Sequence, residues 1–147
     1  MTRLAAGLPA EPFATRDPYD VADATCYDLT RKEGEMTLGK LVELFGFESL
    51  TGDVNLSSQV TSGYTSDLLS DVIANAPEHS VWITVQRHIN ILGVAKLKEI
   101  VAIIIPRKLQ PEPEVIQKAK DEQIAILRDH RSAFEISGLV YSALTKG

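Results

Sequence analysis

The sequence predicts an α/β fold with a central, mostly parallel β-sheet flanked by helices on both faces. Strand-like and helix-like segments alternate as β-α-β-α-β-α through the C-terminal two-thirds of the 147 residues, and short loops join them. Two of the strand-like segments, 100–106 and 124–127, are continuous apolar runs, which are typical of strands buried on both faces of a sheet. This alternation favours right-handed crossovers between parallel strands.

The first elements of the predicted domain are one clear helix and two weaker strands. Thr37 is a candidate N-cap, the apolar residues after it recur at helical spacing, and Gly46 ends the helix. A glycine turn is expected at Gly63, before the next helix. The remaining elements predicted here are strands at 48–52 and 57–62, and a helix at about 66–76 that is capped by Thr65 or Ser66.

The alternating part of the chain has stronger signals. Prolines near the start of segment 111–123 lie where a missing N–H costs a helix least. Ser132 and Glu135 have the spacing of a capping box. In segment 89–99 the residues expected to face inward are Ile91, Leu92, Ala95 and Leu97. The predicted elements are strands at 80–86, 100–106 and 124–127, and helices at 89–99, 111–123 and 132–144.

Residues 1–35 differ from the rest of the chain. They contain prolines at positions 9, 12 and 18, and their apolar residues show no sustained period. A short helix is predicted at 18–32. We interpret 1–35 as an N-terminal tail or arm, either mobile or docked on the domain surface, and 36–147 as a single α/β domain.

Composition excludes several classes of function. The formal net charge is −5 and no basic run is present, which argues against nucleic acid and anionic membranes as partners. The single cysteine, Cys26, excludes a disulfide framework and a cysteine-based metal site, so no metal or cofactor is predicted. No apolar run could span a bilayer and no signal peptide is recognisable, so we expect a cytoplasmic protein.

The candidate site lies where the parallel strands end. In an open parallel sheet, ligands bind outside the carboxyl ends of the strands. Helix N-termini at this edge direct unpaired N–H groups outward, which favours an anionic ligand such as a phosphate or a carboxylate. By period-two alternation, three of the candidates (84, 86 and 88) share one strand face. The candidate ligand-binding residues are Gly63, Ser66, Asp67, Thr84, Gln86, His88, Asn90, Arg107 and Ser132.

Each candidate also has a structural explanation. Ser66 and Asp67 are suited to capping a helix, Gly63 to backbone geometry, and His88 to a structural hydrogen bond. Asp67 and Asp71 lie one helical turn apart and could share a cation, although two carboxylates are thin evidence. The sequence contains no P-loop, no dinucleotide-binding glycine fingerprint and no nucleophile elbow, so no catalytic residue is predicted.

Two segments resemble the DRTGG domain family. The first is G-Y-x-S-D-L-L-S-D-V and the second is W-I-T-x-Q-x-H-x-N, and the resemblance spans roughly residues 36–144. The residues that match are Gly63, Tyr64, Ser66, Asp67, Leu68, Leu69, Ser70, Asp71 and Val72 in the first segment, and Trp82, Ile83, Thr84, Gln86, His88 and Asn90 in the second.

The resemblance implies a regulatory module. Such domains are similar to the N-terminal domain of HPr kinase/phosphorylase, and they also occur in phosphotransacetylases and in pyrophosphatases that carry CBS modules. There the domain is taken to be regulatory or ligand-sensing, with adenine nucleotides as a candidate ligand class. The implied protein is a homodimeric, non-catalytic module that binds a small anionic ligand. Ser62 departs from the family, whose motif has a glycine there, and this change would alter the ligand pocket.

Two other functions stay open at this point. An interaction module without a ligand would contact a partner enzyme through the acidic arm at 1–35, and it would show an exposed apolar patch. A small enzyme acting on a phosphorylated substrate would need an acid–base pair with shifted pKa values inside a cavity. A ligand-binding module needs its polar residues to converge on one cavity, namely Gly63, Asp67, Gln86, His88 and Asn90.

Overall fold

Four parallel strands and one antiparallel edge strand form a five-stranded sheet in the order β1-β5-β4-β3-β2. The computed structural model describes residues 35–145. The strands are β1 (Glu48–Ser49), β2 (Ser62–Thr65), β3 (Ser80–Ile83), β4 (Ala102–Ile105) and β5 (Ala125–Arg128). The helices are α1 (Leu38–Phe45), α2 (Leu69–Asn75), α3 (Asn90–Leu97), α4 (Pro113–Asp121) and α5 (Ala133–Thr145). The predicted α/β fold with a mostly parallel sheet is confirmed.

The central strands are buried on both faces because alternate side chains enter two separate cores. In β3, Val81 and Ile83 pack into a core beneath α1 and α5, whereas Trp82 points into the opposite core beneath α2, α3 and α4. Strand β4 alternates in the same way, with Ile104 on the first side and Ile103 on the second. This double burial explains why the β4 segment reads as a continuous apolar run.

Helix α1 forms as its sequence predicts. The Thr37 hydroxyl accepts a hydrogen bond from the Lys40 N–H at 3.2 Å. Leu38 and Leu41 are completely buried. Gly46 has φ 72°, a left-handed conformation in which a helix commonly ends.

The prediction of a strand at 57–62 is wrong, because the strand in this part of the chain lies at Ser62–Thr65. Val60 is fully buried, but it lies in a loop. Its N–H donates a hydrogen bond to the Met36 carbonyl at 2.8 Å. Its apolar character therefore reflects burial below α1 rather than membership of the sheet. The expected glycine turn is also absent: Gly63 is a strand residue paired with Val81.

Gly63 is required by close packing rather than by a turn. A Cβ atom at this position would lie 3.3 Å from Val140 Cγ1 of α5 and 3.8 Å from Val81 Cγ2. The glycine thus allows α5 to approach strand β2 closely. Ser62, the departure from the family motif, lies at the first position of the same strand and not in a loop.

Several element boundaries differ from the sequence prediction. Strand β3 ends at Ile83 rather than at residue 86, and α2 begins at Leu69 rather than near 66. Leu97, which was expected to face inward, is 65% exposed. It lies six residues after the buried Ile91, which is about 240° around a helix and so away from the core.

The predicted arm at 1–35, with its helix at 18–32, falls almost entirely outside the described residues, and the boundary at 36 stays a prediction. The described residues belong to one compact unit, Glu33–Gly147. Within 35–145, no helix has both the length and the apolar character needed to cross a bilayer.

A larger side chain at position 63 should weaken the packing of α5 on the sheet. We expect Gly63→Leu to lower the free energy of unfolding by about 1–3 kcal/mol, since the side chain must displace Val140. Gly93, a helical glycine in α3 with open space at its Cβ position, is the matched control. Gly93→Ala should raise stability by roughly 0.5–1 kcal/mol. Urea unfolding measures both, and equal stability of Gly63→Leu and wild type would contradict the packing role.

Candidate functional site

A groove opens at the carboxyl edge of the sheet, beyond the ends of β3 and β4. It is open to solvent, and its volume is about 420 Å³. One wall is the β3–α3 loop and the other is the loop between β4 and α4. The lining residues are Val85, Gln86, Arg87, His88, Gln110 and Glu112.

Asp67 holds the first wall of the groove in place. Its Oδ1 atom accepts hydrogen bonds from the Thr84 hydroxyl and from the Val85 N–H, both at 2.9 Å. The Asp67 carbonyl accepts a third bond from Gln86 Nε2 at 2.9 Å. Thr84, which is 1% exposed, in turn accepts from the Gln86 N–H at 3.1 Å. The carboxylate therefore ties the loop before α2 to the loop after β3.

His88 and Asn90 are linked at the same edge. The Asn90 N–H donates to His88 Nδ1 at 3.2 Å, so Nδ1 carries no proton in this bond and the proton of the neutral ring lies on Nε2. His88 is exposed and lines the groove. Its Nε2–H group is therefore a donor available to a ligand.

The second wall contains residues that the sequence analysis did not select. Arg87 donates to the Gln110 carbonyl at 3.3 Å, which joins the two walls. The Gln110 side-chain oxygen accepts from Arg128, whose guanidinium also forms a bidentate pair with Glu48 at 3.0 Å. Glu112 lies at the N-cap position of α4. Proximity of the β4–α4 loop to the carboxyl edge was the signal that could have identified Gln110 and Glu112.

Of the nine predicted residues, only Gln86 and His88 line the groove, and Gly63, Ser66 and Ser132 have other roles. Gly63 packs against α5, as described above. The Ser66 hydroxyl accepts from the Leu68 N–H at 3.2 Å. Ser132 forms the predicted capping box: its N–H donates to Glu135 Oε1 at 3.0 Å, and its hydroxyl accepts from the Glu135 N–H at 3.2 Å. The hydrogen bond from the Ser132 N–H is the largest cause that holds the pKa of the Glu135 carboxyl below its usual value.

Arg107 belongs to the same loop as Gln110 and Glu112, but it does not line the groove. It is exposed at the start of the β4–α4 loop, and its N–H donates to the Arg131 carbonyl at 2.9 Å. The five residues required to converge do so only in part. One hydrogen bond joins Gln86 to Asp67 and another joins Asn90 to His88 at the same edge, whereas Gly63 takes part in neither pair.

The two aspartates of the first motif have separate partners. Hydrogen bonds from Ser66, Tyr64 and Asn75 hold the pKa of the Asp71 carboxyl below its usual value. Burial, followed by the 2.8 Å hydrogen bond to Asp71, raises the pKa of Tyr64. Asp67 instead accepts the hydrogen bonds that hold the first wall of the groove. Within the described part of the chain, no group of three or more His, Cys, Asp or Glu residues is placed to hold a metal ion.

Removal of the Asp67 carboxylate should destabilise the groove wall. We expect Asp67→Ala to lower the free energy of unfolding by about 1–3 kcal/mol, because the Val85 N–H and the buried Thr84 hydroxyl lose their acceptor. Asp67→Asn retains one side-chain carbonyl oxygen and should lower the free energy of unfolding by less. The control is Asp121→Ala on the surface of α4, expected to change stability by less than about 0.5 kcal/mol. Urea unfolding that ranked Asp121→Ala as the more damaging change would contradict this role.

Comparison with known proteins identifies the fold. No protein-family model matches the chain, and no curated protein matches it in sequence. Among solved structures, the chain is similar to the CBS and DRTGG domains of the regulatory region of Clostridium perfringens pyrophosphatase, complexed with its activator diadenosine tetraphosphate. The TM-score is 0.60 at 13% identity, and the match covers 94% of this chain and 56% of the other, so the chain spans little more than half the length of that region. This similarity supports a fold of the DRTGG/CBS kind.

Proposed function

We propose that the chain is a non-catalytic regulatory module that binds a small anionic ligand, an adenine nucleotide, at the carboxyl edge of its sheet. The observation that supports this most strongly is the groove lined by Gln86, Arg87 and His88, with Asp67 and Thr84 holding its wall. A concave site with a few convergent polar groups is typical of small-molecule binding.

The polar groups of the groove suit a purine base. The Gln86 side chain uses its amide N–H to bond Asp67, so its carbonyl oxygen is free to accept from an exocyclic amine. The His88 Nε2–H can donate to a ring nitrogen. An acceptor and a donor side by side match the hydrogen-bonding edge of adenine.

The structural similarity supports regulation as the role. The similar domains form the regulatory region of an enzyme, and that region is complexed with an activator that contains two adenosines. Because that region is regulatory, we assign the groove a binding role.

Ligand binding should depend on the groove residues. At about 100 times its dissociation constant, a nucleotide should stabilise the wild type by roughly 2.7 kcal/mol. Because His88 and Arg87 line the groove, His88→Ala and Arg87→Gln should each weaken binding about tenfold or more, as seen by calorimetry with AMP, ADP and ATP. The matched control is His79→Ala, an exposed histidine just before β3 and so at the opposite edge of the sheet, which should bind as the wild type does.

A flat response of the wild type to all three nucleotides would refute an adenine-nucleotide ligand. Binding that persists in both groove variants would place the ligand elsewhere. Asp67→Ala is unsuited to this test, since its effect on folding would be confused with an effect on the ligand.

The second candidate function is protein–protein interaction, and α5 favours it. Phe134 and Tyr141 are 87% and 66% exposed and lie seven residues apart, so they share one side of the helix. Strand β2 is at the edge of the sheet, and its outer side has no strand partner within residues 35–145. We propose that this surface forms a homodimer, with a partner enzyme as the other candidate occupant.

Charges on the exposed face of α5 should separate the proposed homodimer. Sedimentation equilibrium of the wild type should give a dimer, and Phe134→Glu/Tyr141→Glu should give a monomer because two carboxylates would be buried at the interface. Leu97→Glu, at an exposed leucine on α3, is the control and should stay dimeric. A monomeric wild type would contradict the homodimer, and pull-downs that require Phe134 and Tyr141 would then support a partner enzyme.

A further inference from the structure

The β4–α4 loop begins with an unusual turn. Residues Pro106 to Leu109 form a β-turn closed by a 3.1 Å hydrogen bond from the Leu109 N–H to the Pro106 carbonyl. Its two central residues, Arg107 and Lys108, have φ 57° and 53°. Positive φ at both positions defines the type I′ class, in which Asn-Gly is strongly preferred. Residues with long side chains are strained there.

The strain at this turn differs from that at the other non-glycine residues of 35–145 with positive φ, because Asn55, His79, Glu99 and Gln123 are each single residues. Glu99 and Gln123 also have positive φ, but each is a single residue just after a helix, where a left-handed residue commonly ends the helix. Among the described residues, Arg107 and Lys108 are the only consecutive pair. The turn is held by the neighbouring loop, because the Arg107 and Lys108 N–H groups donate to the Arg131 and Asp129 carbonyls at 2.9 and 2.7 Å.

The two cations of this turn lack counter-charges. Within residues 35–145, no carboxylate lies within 4.0 Å of the Arg107 or Lys108 side chain, and both residues are exposed. Their cationic neighbours differ, since Arg128 pairs with Glu48 and Arg131 with Asp129. Residues 35–145 thus place two positive charges without a counter-charge at one edge, although the net charge of the whole chain is −5.

The turn is continuous with the groove. It opens the same loop that supplies Gln110 and Glu112 to the groove lining. Arg87 and Glu112 both line the groove, so their opposite charges offset each other there, whereas the turn carries two positive charges. A ligand with its base in the groove and its phosphates along the β4–α4 loop would bring those phosphates to the cations of the turn.

We infer that the strained turn at Arg107 and Lys108 is a polyphosphate-binding element, and that the ligand class is a nucleoside di- or triphosphate, or a longer polyphosphate, rather than a monophosphate. Two adjacent cations can contact phosphate oxygens on neighbouring phosphoryl groups. The part of this inference that places a base in the groove rests on the proposed function. The part that places phosphates at the turn depends only on the turn itself, and it is tested separately.

The test uses inorganic tripolyphosphate as the probe, with calorimetry at low ionic strength on the whole chain. Arg107→Asn/Lys108→Gly installs the residues that a type I′ turn prefers and removes both charges. Arg107→Gln/Lys108→Gln removes the charges and keeps the strain. Lys96→Gln/Lys98→Gln, at the end of α3, is the control because it changes the net charge equally.

The expected result is opposite effects on stability and binding. Arg107→Asn/Lys108→Gly should raise Tm by on the order of 5 °C. Both charge-removing variants should bind tripolyphosphate at least about tenfold more weakly than the wild type, which the control should match. Raising the salt concentration should weaken wild-type binding, since exposed charges are screened. Wild-type protein that does not bind tripolyphosphate, or variants that bind it unchanged, would overturn the inference.

These outcomes are distinct from failure of the proposed function. If ATP binds no more tightly than tripolyphosphate and His88→Ala has no effect on ATP, the nucleotide proposal fails while the polyphosphate site stands. If ATP and AMP bind equally well and the turn variants change neither affinity, the base half stands and the polyphosphate site fails.

Discussion

Burial of β3 and β4 on both faces is the constraint on which the rest of the structure depends. Each strand sends alternate side chains into two cores, so helices must cover both sides of the sheet. Parallel pairing of β2 through β5 then brings their carboxyl ends to one edge. The loops that follow the strands meet there, and the groove is formed by two of them.

At that edge, polar groups of the chain bond to one another before any ligand is considered. Asp67 and Thr84 are largely engaged in holding the β3–α3 loop, whereas His88 keeps an available donor. The motif residues therefore divide into those that position the wall and those that face the groove. This division explains how one short segment can be suited both to folding and to binding.

The charged residues around the groove show a similar division. Arg128 and Arg131 join elements through Glu48 and Asp129, and Arg131 also bonds the Phe45 carbonyl at the end of α1. Arg107 stands on a turn with two consecutive positive-φ residues, and no carboxylate of residues 35–145 lies within 4.0 Å of its side chain. Backbone strain of this kind costs stability and is commonly found at functional positions.

The sequence by itself determined the fold class, because the periods of apolar residues reflect burial directly. Burial of β4 on both faces was predictable from its continuous apolar run. The Thr37 cap and the Ser132 capping box were predictable because they depend on local hydrogen bonds. The sequence also placed Gln86 and His88 at the carboxyl edge of the sheet, where both line the groove.

Only the tertiary structure decided which residues share the groove. Gly63 is a residue typical of turns, but it lies in a strand. Its role comes from the close approach of α5 at Val140, which is 77 positions further along the chain. Gln110 joins the groove through contacts with Arg87 and Arg128 that no local pattern encodes. Such contacts link distant parts of the chain, and their geometry is set by packing of the whole domain rather than by local sequence preference.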